Sequence, residues 1–338
     1  MEDNTENMNE AAANGEFLLE AREITKHFPA RSGLGKTRKF ISAVDGVSFG
    51  VRHNSVFAIV GESGCGKSTL ARMIIRLLKP SSGTVLFKGN DLLAMEGEEL
   101  LAFRRSAQII FQDPFASLNP RMRIMDALAE PYRIHKLAPR NEIGARVAEL
   151  ISKVGLNEDA LSKYPHEFSG GQRQRICIAR ALSVSPELIV ADEPLSALDV
   201  SIQAQIINLL QDIRKGPAIS MVFISHDLRV VRYLSDEVAI MYLGRIVERG
   251  ATEGLFSDPK HPYTEMLLSS APKLKYSREE SSKGLSCRPA SGDMPGIVDI
   301  PAGCPFHPRC PKRFEPCDKL RPELKASGGS FVACHLYQ

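Results

Sequence analysis

No apolar run in the chain approaches the ~18 residues that a membrane-spanning helix needs. The first sixteen residues, MEDNTENMNEAAANGE, are polar and acidic, unlike a secretory leader. These absences predict a cytosolic chain, so any membrane path must come from other chains. Net charge is scarce as well. A balance of +3 over 338 residues gives no electrostatic footprint for nucleic acid or for a strongly anionic surface. Paired CxxC knuckles, the usual mark of structural zinc, are missing although the chain has seven cysteines. What is present is ordinary: 43% hydrophobic and 25% charged residues describe a soluble globular protein. Its length allows one large core and an additional domain.

The chemistry begins at Gly61. Gly61, Glu62, Ser63, Gly64, Cys65, Gly66, Lys67 and Ser68 fit the pattern GxxxxGK[ST] and run into Thr69. Val56 to Val60 form an apolar run of strand length. Leu70, Met73, Ile74, Leu77 and Leu78 then recur at helical spacing until Pro80, which predicts strand, loop and helix. In that context the glycines let backbone N–H groups turn towards phosphates, and the helix N-terminus favours an anion. Lys67 is placed to neutralise β/γ oxygens, and Ser68 to ligate Mg²⁺. Cys65 fills an unspecified position of the pattern and reads as a bystander thiol.

Leu188 to Ala191 form a second continuous apolar run, as a strand buried on both faces requires. It ends in Asp192 and Glu193. Two adjacent carboxylates at a strand end can divide the work, Asp192 holding magnesium and Glu193 polarising the attacking water. Gln112 follows Ile109 to Phe111, and His226 lies just beyond Met221 to Ile224. Each is therefore expected at a strand terminus, Gln112 to sense metal or water and His226 to touch a γ-phosphate or Glu193.

The run Ser169, Gly170, Gly171 and Gln172 ends twenty positions before Asp192, and its residues cap the stretch Ile176 to Leu182 with N–H donors pointing outward. In this order the motifs resemble the ATP-binding-cassette family over residues 17 to about 255. The resemblance implies an α/β phosphate-loop NTPase core with a helical subdomain at about 113–185. Gln112 matches the family's Q-loop, Glu167 to Gln172 its signature, Ser196 to Asp199 its D-loop and His226 its switch histidine. Phe28 falls where the family stacks an aromatic on adenine, and Phe168 stands where leucine is more frequent. The resemblance further implies that Ser169 to Gln172, with Asp199, complete the ATP site of a second cassette. ATP would then close a dimer, and hydrolysis would release it.

Around this core, residues 1–16 read as disordered. A helix is predicted from Asn141 to Val154, with Ile143, Val147, Leu150, Ile151 and Val154 on one face and Gly155 as its stop. The segment DPFASLNPRMR after Gln112 is rich in turn residues and apolar side chains, which makes it the candidate docking surface for membrane partners. A further helix carries Ile202, Ile206, Leu209, Leu210 and Ile213, and Val238 to Val247 reads as a hairpin about Leu243 and Gly244.

Composition then shifts. Nine of the 21 prolines and five of the seven cysteines lie in residues 272–338, which reads as a separate tail. Cys304, Cys310, Cys317 and Cys334 are spread out, and disulfides are disfavoured in a reducing cytosol. The spread favours a [4Fe–4S] cluster; zinc and unligated thiols are the alternatives. Cys287 is a substitute ligand, while His307 and His335 read as solvated. His261 to Thr264, PxGCxFxPRC and SALDVSIQAQIINLL resemble the oligopeptide/dipeptide importer branch of the family, in its F-type cassette subunit. That resemblance implies a nucleotide-binding domain at 17–255 and an extension at 256–338. It also implies a different second cassette chain, two transmembrane permease subunits, an extracytoplasmic substrate-binding protein and residence at the cytoplasmic face of the inner membrane. Relatives carrying nickel, glutathione or another small solute leave the cargo open. A soluble cytosolic cassette ATPase is the competing class, although repair members have a long coiled coil where only 56 residues separate Gln112 from Ser169.

Overall fold

The computed structural model describes residues 16–29, 40–196, 198–216, 219–270 and 300–338. The disorder predicted for 1–16 lies outside them apart from Glu16, whose carboxylate accepts from Arg52 Nε at 2.8 Å. Cys287 also lies outside.

The described strands are β1 (Phe17–Pro29), β2 (Phe40–Arg52), β3 (Val56–Val60), β4 (Ser82–Phe87), β5 (Asn90–Asp91), β6 (Ala107–Ile110), β7 (Leu188–Asp192), β8 (Ser220–Ser225), β9 (Glu237–Tyr242), β10 (Arg245–Ala251), β11 (Lys325–Ser327) and β12 (Ser330–Val332). They form an antiparallel sheet of order β2-β1-β4-β5 and an eight-stranded sheet of order β11-β12-β10-β9-β3-β8-β7-β6. From β9 to β6 the neighbours run parallel. Every residue of β3, β7 and β8 is buried, which is why these segments read as unbroken apolar runs. Phe49 of the smaller sheet stacks on Phe57 of the larger at 4.9 Å between centroids, within a core that joins the two.

This topology positions the site. The phosphate loop follows β3, His226 follows β8, Asp192 and Glu193 end β7, and Gln112 follows β6. Four adjacent parallel strands thus deliver these residues to one edge of the sheet, where ligands settle in open α/β folds.

Between β6 and β7 lie the helices Ile124–Ile134, Ile143–Lys153 and Gly170–Leu182. The second is the one predicted from Asn141: Ile143, Val147, Leu150 and Ile151 are buried, and Gly155 stops it at φ +73°, a left-handed value that glycine adopts freely. The predicted hairpin is β9 and β10, whose turn has Leu243 at φ +44° and Gly244 at φ +83°, matching a two-residue turn with both central residues left-handed. In the predicted docking segment, Phe115 is 63% exposed and lies under the Arg173 guanidinium, 3.5 Å from the ring centroid. Leu118 is buried instead.

Two expectations need correction. The helix after the phosphate loop ends at Ile74, not at Pro80: Leu77 N and Leu78 N both turn back to Arg72 O, at 2.8 and 3.0 Å, and Leu77 is exposed. The helical spacing of Leu77 and Leu78 is a coincidence of a tight turn. Nor is the tail a detached unit. β12 is hydrogen-bonded to β10, and Phe306, Cys304 and Cys317 sit in the same apolar core as β3 and β7.

Candidate functional site

Gly61 and Gly66 show why the loop after β3 must be glycine-rich. A Cβ on Gly61 would meet Met241 O at 2.2 Å, and one on Gly66, at φ +107°, would meet Ala43 O at 2.1 Å. The β9–β10 turn braces the loop from behind, with Gly244 N donating to Cys65 O at 2.9 Å. Gly66 opens the helix Lys67–Ile74, so the backbone N–H groups of its first turn face the loop. Cys65 is buried, and burial pushes its thiol up, which fits an inert side chain.

Lys67 is buried, and its ammonium donates to Gly61 O at 2.8 Å and Glu62 O at 2.9 Å. Ser68 Oγ donates to Asp192 Oδ1 at 2.9 Å. Burial raises the Asp192 carboxyl above the usual range, partly opposed by the Ser68 hydrogen bond, and the neighbouring Glu193 charge raises it further. A cation beside these hard oxygens would return Asp192 to its charged form.

Glu193 is where the separate predictions meet. Its carboxylate lies 3.5 Å from Lys67 Nζ, 3.4 Å from His226 Nδ1 and 3.4 Å from Gln112 Nε2. Its backbone is left-handed at φ +46°, a costly conformation for a non-glycine residue, and is held by its N–H donating to Ile224 O at 3.0 Å. Ser196 Oγ donates to Glu193 O at 3.1 Å, while Gln203 Nε2 ties down Leu195 O and Leu198 O, each at 3.1 Å. Asp199 is exposed at the N-terminus of the helix Val200–Lys215.

Ser169 caps the helix Gly170–Leu182 reciprocally. Its hydroxyl accepts from Gln172 N, and Gln172 Oε1 accepts from Ser169 N at 3.0 Å. Gly171 has no room for a Cβ, which would lie 2.3 Å from Ile202 Cγ2. Ser169 and Gln172 are exposed. Phe28 is half-exposed on β1, with Lys26 Nζ 5.4 Å from its ring centroid. Glu62, Ser63, Gly64 and Thr69 complete the loop, with Ser63 and Gly64 open to solvent.

Sequence reasoning missed one part of this neighbourhood. Arg309, from the tail, grips the Glu62 carboxylate with both terminal nitrogens, Nη1 to Oε2 at 2.8 Å and Nη2 to Oε1 at 3.0 Å. Glu62 N donates to Tyr263 Oη at 3.1 Å. The only signal for this contact was PRC inside the cysteine tail, and nothing in its spacing ties it to a residue 247 positions away.

In the tail, Cys304, Cys317 and Cys334 are buried and Cys310 is half-buried, all as free thiols. Burial, helped by the neighbouring thiols, pushes Cys304 and Cys310 up to about 11. The N–H groups of Phe306, Lys312 and Leu336, each two residues beyond a cysteine, oppose this by donating to Cys304, Cys310 and Cys334. No group of three or more His, Cys, Asp or Glu side chains among the described residues is arranged to hold a single metal ion. His307 Nδ1 lies 3.0 Å from Cys304 O, and His335 Nε2 lies 2.9 Å from Leu320 O.

A glycine loop at a strand-to-helix turn, a buried lysine and a serine–aspartate pair, with a second carboxylate set against a glutamine and a histidine, define a phosphate-loop ATPase fold. Two family descriptions match: "ABC transporter" over residues 44–196 and "Oligopeptide/dipeptide transporter, C-terminal region" over 247–317. The chain is 49% identical over 329 residues to the oligopeptide transport ATP-binding protein AppF of Bacillus subtilis (strain 168), covering 96% of this chain and 99% of that one. It is 44% identical over 318 residues to the dipeptide transport ATP-binding protein DppF of Escherichia coli (strain K12), covering 94% and 93%. Among solved structures, cbiO1 from Clostridium perfringens superposes with a TM-score of 0.60 at 28% identity, over 72% of this chain and 92% of that one. A dimeric post-hydrolysis state of the cassette MJ0796 bound to ADP and Pi gives 0.62 at 26%, over 69% and 98%. The chain belongs to the ABC-transporter ATP-binding proteins, in the oligopeptide/dipeptide branch.

Proposed function

We propose that this chain is the ATP-hydrolysing subunit of a membrane importer of di- or oligopeptides. The observation that carries the reading is the convergence of Lys67, Gln112 and His226 on Glu193 beside the Ser68–Asp192 pair, in a chain whose relatives are named for oligopeptide and dipeptide transport. Those names favour peptides over nickel, glutathione or a soluble role.

The residues divide the work. The backbone of Gly61 to Thr69 and the Lys67 ammonium bind the β/γ phosphates, and Phe28 stacks on adenine. Ser68, Asp192 and Gln112 would hold Mg²⁺, which would supply charge neutralisation on the phosphates. Glu193 takes the proton of the attacking water, with His226 and Gln112 orienting its carboxylate. Ser169 to Gln172 and Asp199 serve the ATP of a facing cassette; the dimeric state of MJ0796 supports this, as does the outward aspect of Ser169. The facing cassette is a different chain, and two permease subunits and an extracytoplasmic substrate-binding protein complete the importer. No helix among the described residues is long and apolar enough to cross a membrane. As in the importer reading, this subunit sits peripherally at the cytoplasmic face of the inner membrane, docked through the segment around Phe115. We assign a [4Fe–4S] cluster to Cys304, Cys310, Cys317 and Cys334 on their pattern in the sequence; the thiols of Cys310, Cys317 and Cys334 act electrostatically on Cys304, but no group of three or more His, Cys, Asp or Glu among the described residues is arranged to hold a single metal ion.

Mass spectrometry of proteins co-purifying from gently solubilised native membranes tests the reading. Two integral membrane subunits and a second cassette chain are expected. Recovery from the soluble fraction alone, without membrane partners, would overturn the importer.

A further inference from the structure

Glu62 is a poor neighbour for a nucleotide. It follows Gly61 directly, and its own carbonyl is one of the two that hold the Lys67 ammonium, at 2.9 Å. A free carboxylate at that place would repel a triphosphate and compete with it for Lys67. In the fold this charge is not free. Arg309 meets it in a two-point fork at 2.8 and 3.0 Å, the arginine side chain being 10% exposed and the glutamate 28%. That geometry is charge-assisted, bidentate and half-shielded from solvent, unlike an exposed ion pair.

Arg309 is itself fixed in place by the tail. Cys304 N donates to Cys317 O at 2.8 Å, His307 N to Cys304 O at 3.0 Å and Arg309 N to Phe306 O at 3.0 Å, so the arginine ends a tight loop between Cys304 and Cys310. Phe306 packs in a buried aromatic cluster, 5.4 Å from Tyr242 and 5.3 Å from Tyr263 between centroids. The Tyr263 hydroxyl reaches the phosphate loop as well, accepting from Glu62 N at 3.1 Å.

From this we propose that Arg309 is a positioning residue for ATP: it neutralises Glu62 and anchors the phosphate loop to the cysteine tail, so that nucleotide affinity depends on a residue outside the ATPase core. The inference rests on the reading of residues 61–69 as the ATP site. It differs from a simple structural brace in one consequence. If the charge matters, removing the glutamate's charge should repair the loss of Arg309 even though the bridge is still absent.

The test is equilibrium binding of Mg²⁺–ATP to the full-length chain, with Arg309→Met chosen because it keeps an unbranched apolar stem and removes the charge. Arg309→Met is expected to weaken ATP binding roughly tenfold, the scale of one charge-assisted contact. Glu62→Gln combined with Arg309→Met should return affinity to within about threefold of the unsubstituted chain, and Arg309→Lys should lose only part of it because a point charge replaces the fork. Unchanged affinity in Arg309→Met overturns the proposal, as does a double variant as weak as the single one. Failure of the unsubstituted chain to bind ATP would instead strike the ATP-site reading. Unfolding temperatures of all variants accompany the binding data, and the double variant separates lost charge from lost folding because it lacks the same bridge.

Discussion

The Lys67 ammonium stands 3.5 Å from the Glu193 carboxylate while donating to Gly61 O and Glu62 O. One buried cation thereby joins the glycine loop to the carboxylate that is proposed to act on water. A triphosphate entering the loop offers Lys67 stronger acceptors than two carbonyls. If Lys67 then changed partners, Glu193 would keep Gln112 and His226, and on the proposed roles nucleotide binding and release of the base would be coupled through a single side chain.

Lys67→Met removes that coupling at its source. ATP affinity is expected to fall about a hundredfold, the worth of one or two charge-assisted contacts in a shielded site. Equilibrium nucleotide binding checks it; retained affinity would remove Lys67 from the phosphate site.

Glu193→Gln keeps the shape of the side chain and removes its basicity. Turnover is expected to drop roughly 10²- to 10⁴-fold, as for loss of a general base, while ATP binding persists. An ATP-bound dimer should accumulate. Steady-state phosphate release and size-exclusion chromatography with ATP measure both effects, and fast turnover in this variant would sink the role given to Glu193.

Ser169→Ala separates two roles of one hydroxyl. As the cap of Gly170–Leu182, Ser169 contributes about 1 kcal/mol of stability. A contact with the facing cassette's nucleotide adds a second effect that thermal unfolding cannot report. In a Glu193→Gln background, dimer dissociation should rise about tenfold; unaltered dimerisation would leave Ser169 as a helix cap alone.

The legible part of the molecule is whatever repeats locally. Strands β3, β7 and β8 are buried on both faces and show as apolar runs, and the polar residues at their ends, Lys67, Glu193 and His226, are placed by the amino-acid pattern alone. The convergence itself follows from strand order. Contacts between distant segments leave no such trace. The pair Arg309 and Glu62 carries no periodicity, and β11 and β12 are three residues long each, too short for alternation to register. That is why the tail reads as separate when it extends the main sheet. Leu77 and Leu78 mislead in the opposite sense, since two leucines in a turn can match helical spacing without forming a helix.

His261 gives the fold an acid sensitivity independent of catalysis. It is 1% exposed, its Nδ1 accepts from Tyr263 N at 3.0 Å, and its Nε2 finds no partner among the described residues. Burial drives its pKa down from 6.5 to about 3, so the folded state keeps it neutral while the unfolded chain takes up a proton below 6.5. Its contribution to stability is complete above that value and is lost as pH falls from 6.5 towards 3. The loss at pH 5 is about 2 kcal/mol. Burial raises the Glu248 carboxyl, which acts in the opposite direction, so the comparison must be made against His261→Phe. Urea unfolding at pH 7.5 and pH 5 should show that difference narrowing by about 2 kcal/mol in favour of the variant; equal pH dependence would refute it.

The tail thiols make the last prediction chemical. Burial, with a smaller contribution from neighbouring thiols, pushes Cys304 and Cys310 up to about 11, so without a bound cation these two stay protonated. N–H donors to Cys304, Cys310 and Cys334 are worth most when the sulfurs carry charge. Protein purified without oxygen is therefore expected to contain iron and acid-labile sulfide, and to lose both when Cys304 and Cys317, buried in the main core, are replaced by serine. Stoichiometric zinc without sulfide would contradict the iron–sulfur assignment and keep the thiolate site. Absence of any metal would contradict the assignment too and leave three buried thiols beside the half-buried Cys310.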